Sequence, residues 1–345
     1  VLSPKAQFSI VTLVNELRQD LNIGFHCNPE MSELAATRFL IDLVRTPYVA
    51  ELQDDNFLVP RGISTCIEFL ENNQSYSACR GIGISIKTNE SAVYGRIRKC
   101  VLKKQPQSEQ ESASLRYLEL MNNYSDIHFA VHRTEIYKFA FDQTTFEDSL
   151  FFKILATAQI FIAGKVKSLK TMYLVRHIQD SPYRTQEASD IYFWLTRPSW
   201  IDYLSIHRKN VVEKLMEQDG LSVNDAEEIF RRGLMAFLLW LLISYAPEEV
   251  DSTTGKLRNT SLNSVHPFSR YSDQNWPFKI FLFVETKARL GFELFRNLFN
   301  KIDVVDNDVL NTRTTSMLSA LTGRKSIYSD DFIPIYRSIT EIIDS

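Results

Sequence analysis

Between Ser222 and Glu249 the chain holds a 15-residue run, Gly233 to Pro247, without a single charged side chain. Arg231 and Arg232 precede it, and Glu248 and Glu249 follow it. Ser222 with Asp225 three residues on has the Ser-x-x-acid spacing of a helix start, and Asp225, Glu227 and Glu228 place negative charge near the positive end of the helix dipole. Pro247 is a natural stop. The stretch LMAFLLWLLI is apolar all round, so the pattern predicts a central buried helix over 225–246. At this length it falls short of the roughly 18 to 20 apolar residues that a membrane span needs.

Helical spacing recurs along most of the chain. Phe8, Val11, Val14, Leu17 and Leu21 mark a first helix, and a second opens at Asn28-Pro29 and ends before Pro47. A shorter helix fits Ile63 to Leu70. The period then shifts to two. Ile82, Ile84 and Ile86 alternate with small or polar residues and Val93 to Leu102 alternates again, which predicts a hairpin. Ile127, Phe129 and Val131, and then Tyr137, Phe139 and Phe141, predict two further strands. Leu150 to Ala163 is nearly all apolar and reads as a helix buried on most sides. Further helices fit Glu187 to Leu195, Trp200 to Gln218, Phe278 to Phe299, Asp308 to Leu321 and Asp331 to Ile343. The expected fold is mostly α, a multi-helix globular protein open to a bilobal division, with a small antiparallel sheet inserted near 80–142. Lys103 to Ser114 is polar and linker-like. The expected division is an N-terminal helical region with its hairpin over 1–105, then a helical region over 106–345 built around the buried helix.

Composition narrows the function classes. Glycine numbers 11 in 345 residues, about 3% against a usual share of roughly 7%. Phosphate-cradling loops and tight βα turns depend on glycine, and neither Gly-x-Gly-x-x-Gly after a strand nor Gly-Lys-Ser/Thr occurs. Nucleotide-binding folds of those types are disfavoured. The cysteines at 27, 66, 79 and 100 form no Cys-x-x-Cys pair, which points to free thiols in a reducing cytoplasmic compartment and away from structural zinc. No cofactor is implied.

Charge is the strongest functional signal. Ser91 to Ser108 holds Arg96, Arg98, Lys99, Lys103 and Lys104, and Ser149 to Gln179 holds Lys153, Lys165, Lys167, Lys170 and Arg176. Neither window contains an acid, although the whole chain carries a formal charge of −3. Arg313, Arg324 and Lys325 form a third acid-free stretch. Such separation is expected where a polyanion lies along one surface and each neutralised phosphate releases counterions. Tyr94 and Tyr173 sit beside these charges and are candidates to stack on bases. Lysines along a solvated strand edge, which block edge-to-edge pairing, would give the same pattern.

Other constellations are weaker. His128 and His132 lie four apart, but no third ligand follows from spacing, so they read as solvent-face histidines of a sheet. Arg258 and His266 would suit metal-independent RNA cleavage, with His as acid–base and Arg on the phosphate. The leading expectation is a non-enzymatic nucleic-acid-binding or assembly protein, intracellular and not membrane-bound. It would form homo-oligomers and coat RNA or single-stranded DNA through Arg96, Arg98, Lys99, Lys103, Lys104, Lys165, Lys167 and Lys170. The alternatives are a helical nuclease or effector using Arg258 and His266, or a protein-interaction scaffold.

Overall fold

The computed structural model describes residues 4–26, 28, 30–89, 94–103, 106–142, 149–177, 197–244 and 307–340. Two 13-residue strands, β3 (Tyr76–Thr88) and β6 (Lys165–His177), run parallel along their whole length and organise the chain. On its other edge β3 carries two antiparallel neighbours end to end. β5 (Val131–Arg133) pairs with Ala78 and Cys79, and β4 (Ile97–Lys103) pairs with Gly83 to Thr88. β1 (Tyr48–Val49) extends the sheet beyond β5, and β2 (Asn56–Leu58) lies on β6. The result is a mixed six-stranded sheet. It takes β1 to β4 from before residue 105 and β5 and β6 from after it.

Helices cover the sheet in three groups. α1 (Pro4–Leu17) and α2 (Glu33–Leu43) precede it, and α3 (Pro60–Asn72) sets Cys66 and Leu70 against Cys79, Val131 and Leu174. The largest group comprises α4 (Ala113–Asn122), α5 (Thr134–Asp142), α6 (Ser149–Ala163), α7 (Trp200–Asp219) and α8 (Val223–Ser244). It packs on Ala78 and Val166 near the start of the two long strands. At the far end of β3, α9 (Asn307–Thr322) and α10 (Ser329–Thr340) bring Leu321, Phe332 and Ile339 onto Ile84, Ile86, Ile97 and Cys100.

Several expectations are corrected here. The helix enclosed on every side is α6, where Phe151, Phe152, Ile154, Leu155, Ala156, Ala158, Ile160, Phe161 and Ile162 are all buried. The run around 225–246 is instead a one-sided helix. Ala226, Phe230, Gly233, Phe237 and Leu241 face inward, while Met235 and Leu239 keep 58% and 49% of their surface exposed. Residues 137–141 are helical, because Tyr137, Ala140 and Phe141 turn inward at helical spacing and Phe139 points to solvent. The sheet is mixed and reaches from residue 48 to residue 177, since the basic segment 165–177 is its second long strand. The segment after Lys103 is no free linker. Ser108 exchanges backbone hydrogen bonds with Val166 at 3.0 and 2.9 Å and so lines the outer edge of β6.

A buried arginine fixes the junction. Arg116 on α4 donates to the carbonyls of Phe161 and Ile162, both at 2.7 Å, and so satisfies carbonyls that the end of α6 leaves without helical partners. Its other bonds, to the carbonyls of Gln110 and Glu111, hold the 106–112 segment in place. Among the described residues, no helix is long and apolar enough to cross a membrane.

Candidate nucleic-acid interface

The β3–β4 pair contains an irregularity that decides where its cations point. Lys87 pairs with Lys99 and Thr88 with Ile97, so Arg98 stands as an extra residue on β4. A bulge of this kind re-aims side chains and resets the alternation. Ile97 and Cys100 both turn into the core although they are three residues apart, and Arg98 and Lys99 both stay exposed. The turn before them is tied down. Gly95 has φ +139°, a conformation that favours glycine, and its N–H donates to the carbonyl of Ile339 on α10 at 2.8 Å.

Directly paired residues share a face, so Lys87 and Lys99 stand opposite each other on the face turned away from Ile84 and Ile86. Ser85, two residues from Lys87 on that face, is paired across β6 with Arg176, whose guanidinium lies 5.5 Å from the centre of the Phe129 ring. A row of cations, Arg176, Lys87 and Lys99, thus crosses three strands. Like charges directly opposite each other on a sheet are destabilising, and Lys87 has a further contact of its own. Arg96, Arg98 and Lys99 make no ion pair with any described residue.

The second basic window lies elsewhere and in a different electrostatic state. Lys167 is level with Cys79 on β3, whereas Lys99 is level with Lys87. Eight residues of strand at about 3.3 Å each separate the two by roughly 25 Å. Lys165 pairs with Glu111 at 2.5 Å and Lys167 with Glu109 at 2.6 Å. The Glu109 carboxyl is held below its usual range by hydrogen bonds from Lys167 and from the Tyr76 hydroxyl. Burial, then the bond to Glu109, pushes the Tyr76 phenol up to about 12. Lys170 is exposed on the same strand. Of the sequence-derived residues, then, Arg96, Arg98, Lys99 and the backbone of Lys103 come together on and beside β4, and Lys165, Lys167 and Lys170 form a separate group. Lys104, Arg258 and His266 lie outside the described residues.

The tyrosines divide. Tyr94 is exposed beside the β4 cations, but Tyr173 is only 1% exposed and packs under α3, so it is not available to stack on a base. The histidines are also corrected. His128 and His132 are buried rather than on a solvent face, and burial holds them down to about 4 and about 3. The Nε2 of His132 lies 2.9 Å from the Ile127 carbonyl and its ring stacks on Tyr137. Among the described residues, no group of three His, Cys, Asp or Glu side chains could hold a metal.

Sequence reasoning missed Lys87, Tyr336 and Arg337. A cleft of about 930 Å³ lies between β4 and the α9–α10 pair, and Arg96, Arg98 and Arg337 are among the residues that line it. The signal available for the last two was Tyr336, Arg337 and Thr340 following Ile333 at helical spacing, polar positions on a stripe where apolar ones are usual. Neither a family model nor a curated protein sequence matches this chain.

Proposed function

We propose that this is a non-enzymatic nucleic-acid-binding or assembly protein, mostly helical, that takes the phosphate backbone of RNA or single-stranded DNA across the β4 end of its sheet. The observation that carries the reading is the exposed group of Arg96, Arg98 and Lys99 on and beside β4, none in an ion pair with a described residue, with Lys87 across from Lys99 and Arg176 on the next strand. Backbone phosphates spaced along a strand would neutralise such a row, with affinity set by counterion release and little base specificity. Exposed Tyr94 supplies an aromatic face at its margin. Free, buried thiols at Cys66, Cys79 and Cys100 support a reducing intracellular compartment. Coating a strand would bring several copies of the chain side by side.

Filter binding of a single-stranded 20-nucleotide RNA across a salt series tests the reading. Affinity is expected to fall steeply with salt, and the Arg98→Ala, Lys99→Ala double variant is expected to lower the salt slope by about 2. Absence of binding at low salt, or binding indifferent to salt, overturns it.

A further inference from the structure

The cleft between β4 and the α9–α10 pair has the wrong chemistry for a packing seam. Thr315, Ser319 and Thr322 project into it from α9 at the spacing with which one helix normally packs against a neighbour. Tyr336, Arg337 and Thr340 do the same from α10. Leu318, Ile333 and Ile97 also line it, so the cleft is mostly polar with an apolar floor that continues into Leu321, Phe332 and Ile339 of the core below. The third wall is β4, where the bulge aims Arg98 outward and the Gly95–Ile339 bond fixes the approach of Arg96. Arg96 and Arg98 line the cleft from the β4 side and Arg337, which has a further contact of its own, from the α10 side, and no carboxylate is among the described residues that line it.

We infer that this cleft binds a phosphorylated nucleoside. The inference deepens the nucleic-acid reading and rests on it for the choice of ligand. Arginine matches phosphate oxygens with paired donors, and Arg96 and Arg98 are two such groups without an ion pair to any described residue. The hydroxyls of Ser319 and Thr322 suit a ribose, and the half-buried Tyr336 ring offers a flat face for a base. A volume of about 930 Å³ accommodates one nucleotide with its hydration, within the several hundred to about 1,000 Å³ of small-molecule sites. The site would hold either a free nucleotide or the terminal nucleotide of a strand whose backbone continues past Lys99 and Lys87.

Calorimetric titration of the full chain with AMP, GMP, CMP and UMP, and separately with adenosine and with inorganic phosphate, tests the inference. At least one monophosphate is expected to bind more tightly than inorganic phosphate, and adenosine is expected not to bind at millimolar concentration. Arg98→Ala and Arg337→Ala are each expected to weaken that binding about tenfold or more. Ser319→Asp places a carboxylate on the exposed lip of the cleft and is expected to abolish binding with an unchanged thermal midpoint, which separates loss of the site from loss of fold. The inference is overturned if none of the four monophosphates binds, or if Ser319→Asp binds as the parent does. The 20-nucleotide strand distinguishes its failure from that of the broader reading. Salt-dependent strand binding that no monophosphate competes and Ser319→Asp leaves unchanged removes the cleft and keeps the backbone surface. Monophosphate binding without strand binding does the reverse. Competition by a monophosphate, with a 5′-phosphorylated strand preferred over its unphosphorylated form, assigns the cleft to a strand end.

Discussion

Asp219, the last residue of α7, caps the start of α4 through Ser114. Its Oδ2 accepts from the Ser114 N–H at 2.8 Å and from the Ser114 hydroxyl at 2.5 Å. The same carboxylate accepts from the Ala113 N–H and the Ser112 hydroxyl, each at 2.8 Å. Two helices about a hundred residues apart in sequence are thereby joined at their ends, and the acid satisfies N–H groups that α4 leaves without helical partners. Partial burial would raise the Asp219 pKa, but the donors from Ser114, Ala113 and Ser112 outweigh it and hold the carboxyl below its usual range.

Asp219→Ala is therefore expected to cost about 3 kcal/mol, because it strands several half-buried donors at once. Asp219→Asn, which keeps one acceptor and loses the charge, should fall between the variant and the parent. Urea denaturation reads both as a lowered midpoint with an unchanged slope. A midpoint for Asp219→Ala equal to the parent's would show that the cap contributes nothing.

Burial makes stability sensitive to mild acid. His128 and His207 are held down to about 4 and His132 to about 3, with desolvation the largest cause in each. Around His128 the charge of Asp126 pulls the pKa up and that of Lys153 pulls it down, while His128 and Arg80 lower that of His132. In the unfolded chain each takes a proton near pH 6.5, so between about pH 6.5 and about pH 4 the unfolded state binds more protons than the folded one. Stability is fully present above that window and falls with pH by about 1.4 kcal/mol per unit for each such histidine. Urea midpoints at pH 7, 6 and 5 stay above the range where ordinary carboxylates titrate. His207, whose two ring nitrogens find no hydrogen-bond partner among the described residues, isolates one share. His207→Leu should flatten the dependence and match or exceed the parent's stability at pH 7. A pH profile identical to the parent's would contradict this account.

Which parts of this architecture the sequence displayed depends on whether the information was local. The hairpin of β3 and β4 was visible because Ile82, Ile84 and Ile86 alternate without interruption. The limits of α8 followed from Ser222 and the charge pattern, but not its exposed flank, since nothing in LMAFLLWLLI says which side meets α4 and α7. β6 was missed because its register against β3 shifts at three places, which scrambles the two-residue period of Lys165 to His177. Phe139 misled in the opposite direction, completing by chance an alternation that α5 does not use. The charge windows were real as composition, yet Glu109 and Glu111 return to Lys167 and Lys165 from more than fifty residues away. A search for acids inside the window is blind to such pairing. The cleft needed three elements, β4, α9 and α10, that only the tertiary fold brings together.

Close helix packing gives a third prediction. Gly233 of α8 lies against the ring of Tyr117 on α4, and a Cβ there would fall inside the contact distance of its Cε1, with Cζ at 2.9 Å. Tyr117 is fully buried and has α4 behind it, so its ring has little room to withdraw. Gly233→Ala should gain helix propensity but lose about 1–3 kcal/mol overall through overpacking. Tyr117→Phe removes a buried hydroxyl that has no hydrogen-bond partner among the described residues, and should be neutral or stabilising. The thermal midpoint should therefore fall for Gly233→Ala and hold or rise for Tyr117→Phe. A rise for Gly233→Ala would mean that the two helices part more easily than their packing implies.

The paired lysines of β6 and the unpaired cations of β4 should respond differently to the same substitution. Lys167→Ala leaves the Glu109 carboxylate without its cation. That charge lies roughly 25 Å from Lys99, beyond a screening length of about 10 Å at ~0.1 M salt, so binding of single-stranded RNA at the β4 end should barely change. Arg98 has no ion-pair partner among the described residues, so Arg98→Ala should weaken binding uniformly across sequences and lower the salt slope by about 1. Glu109→Gln removes the acid and leaves Lys167 charged and half-exposed. Its binding should tighten at low salt and its slope should steepen by up to about 1 if the strand reaches that end of the sheet. Measured together on one RNA, these variants locate the path of the strand. Steepening in Glu109→Gln extends it along β3 from Lys87 toward Lys167, and an unchanged slope confines it to the β4 end. Equal losses in Lys167→Ala and Arg98→Ala would show that the strand also reaches the Glu109 end of the sheet and that the two basic groups act as one surface.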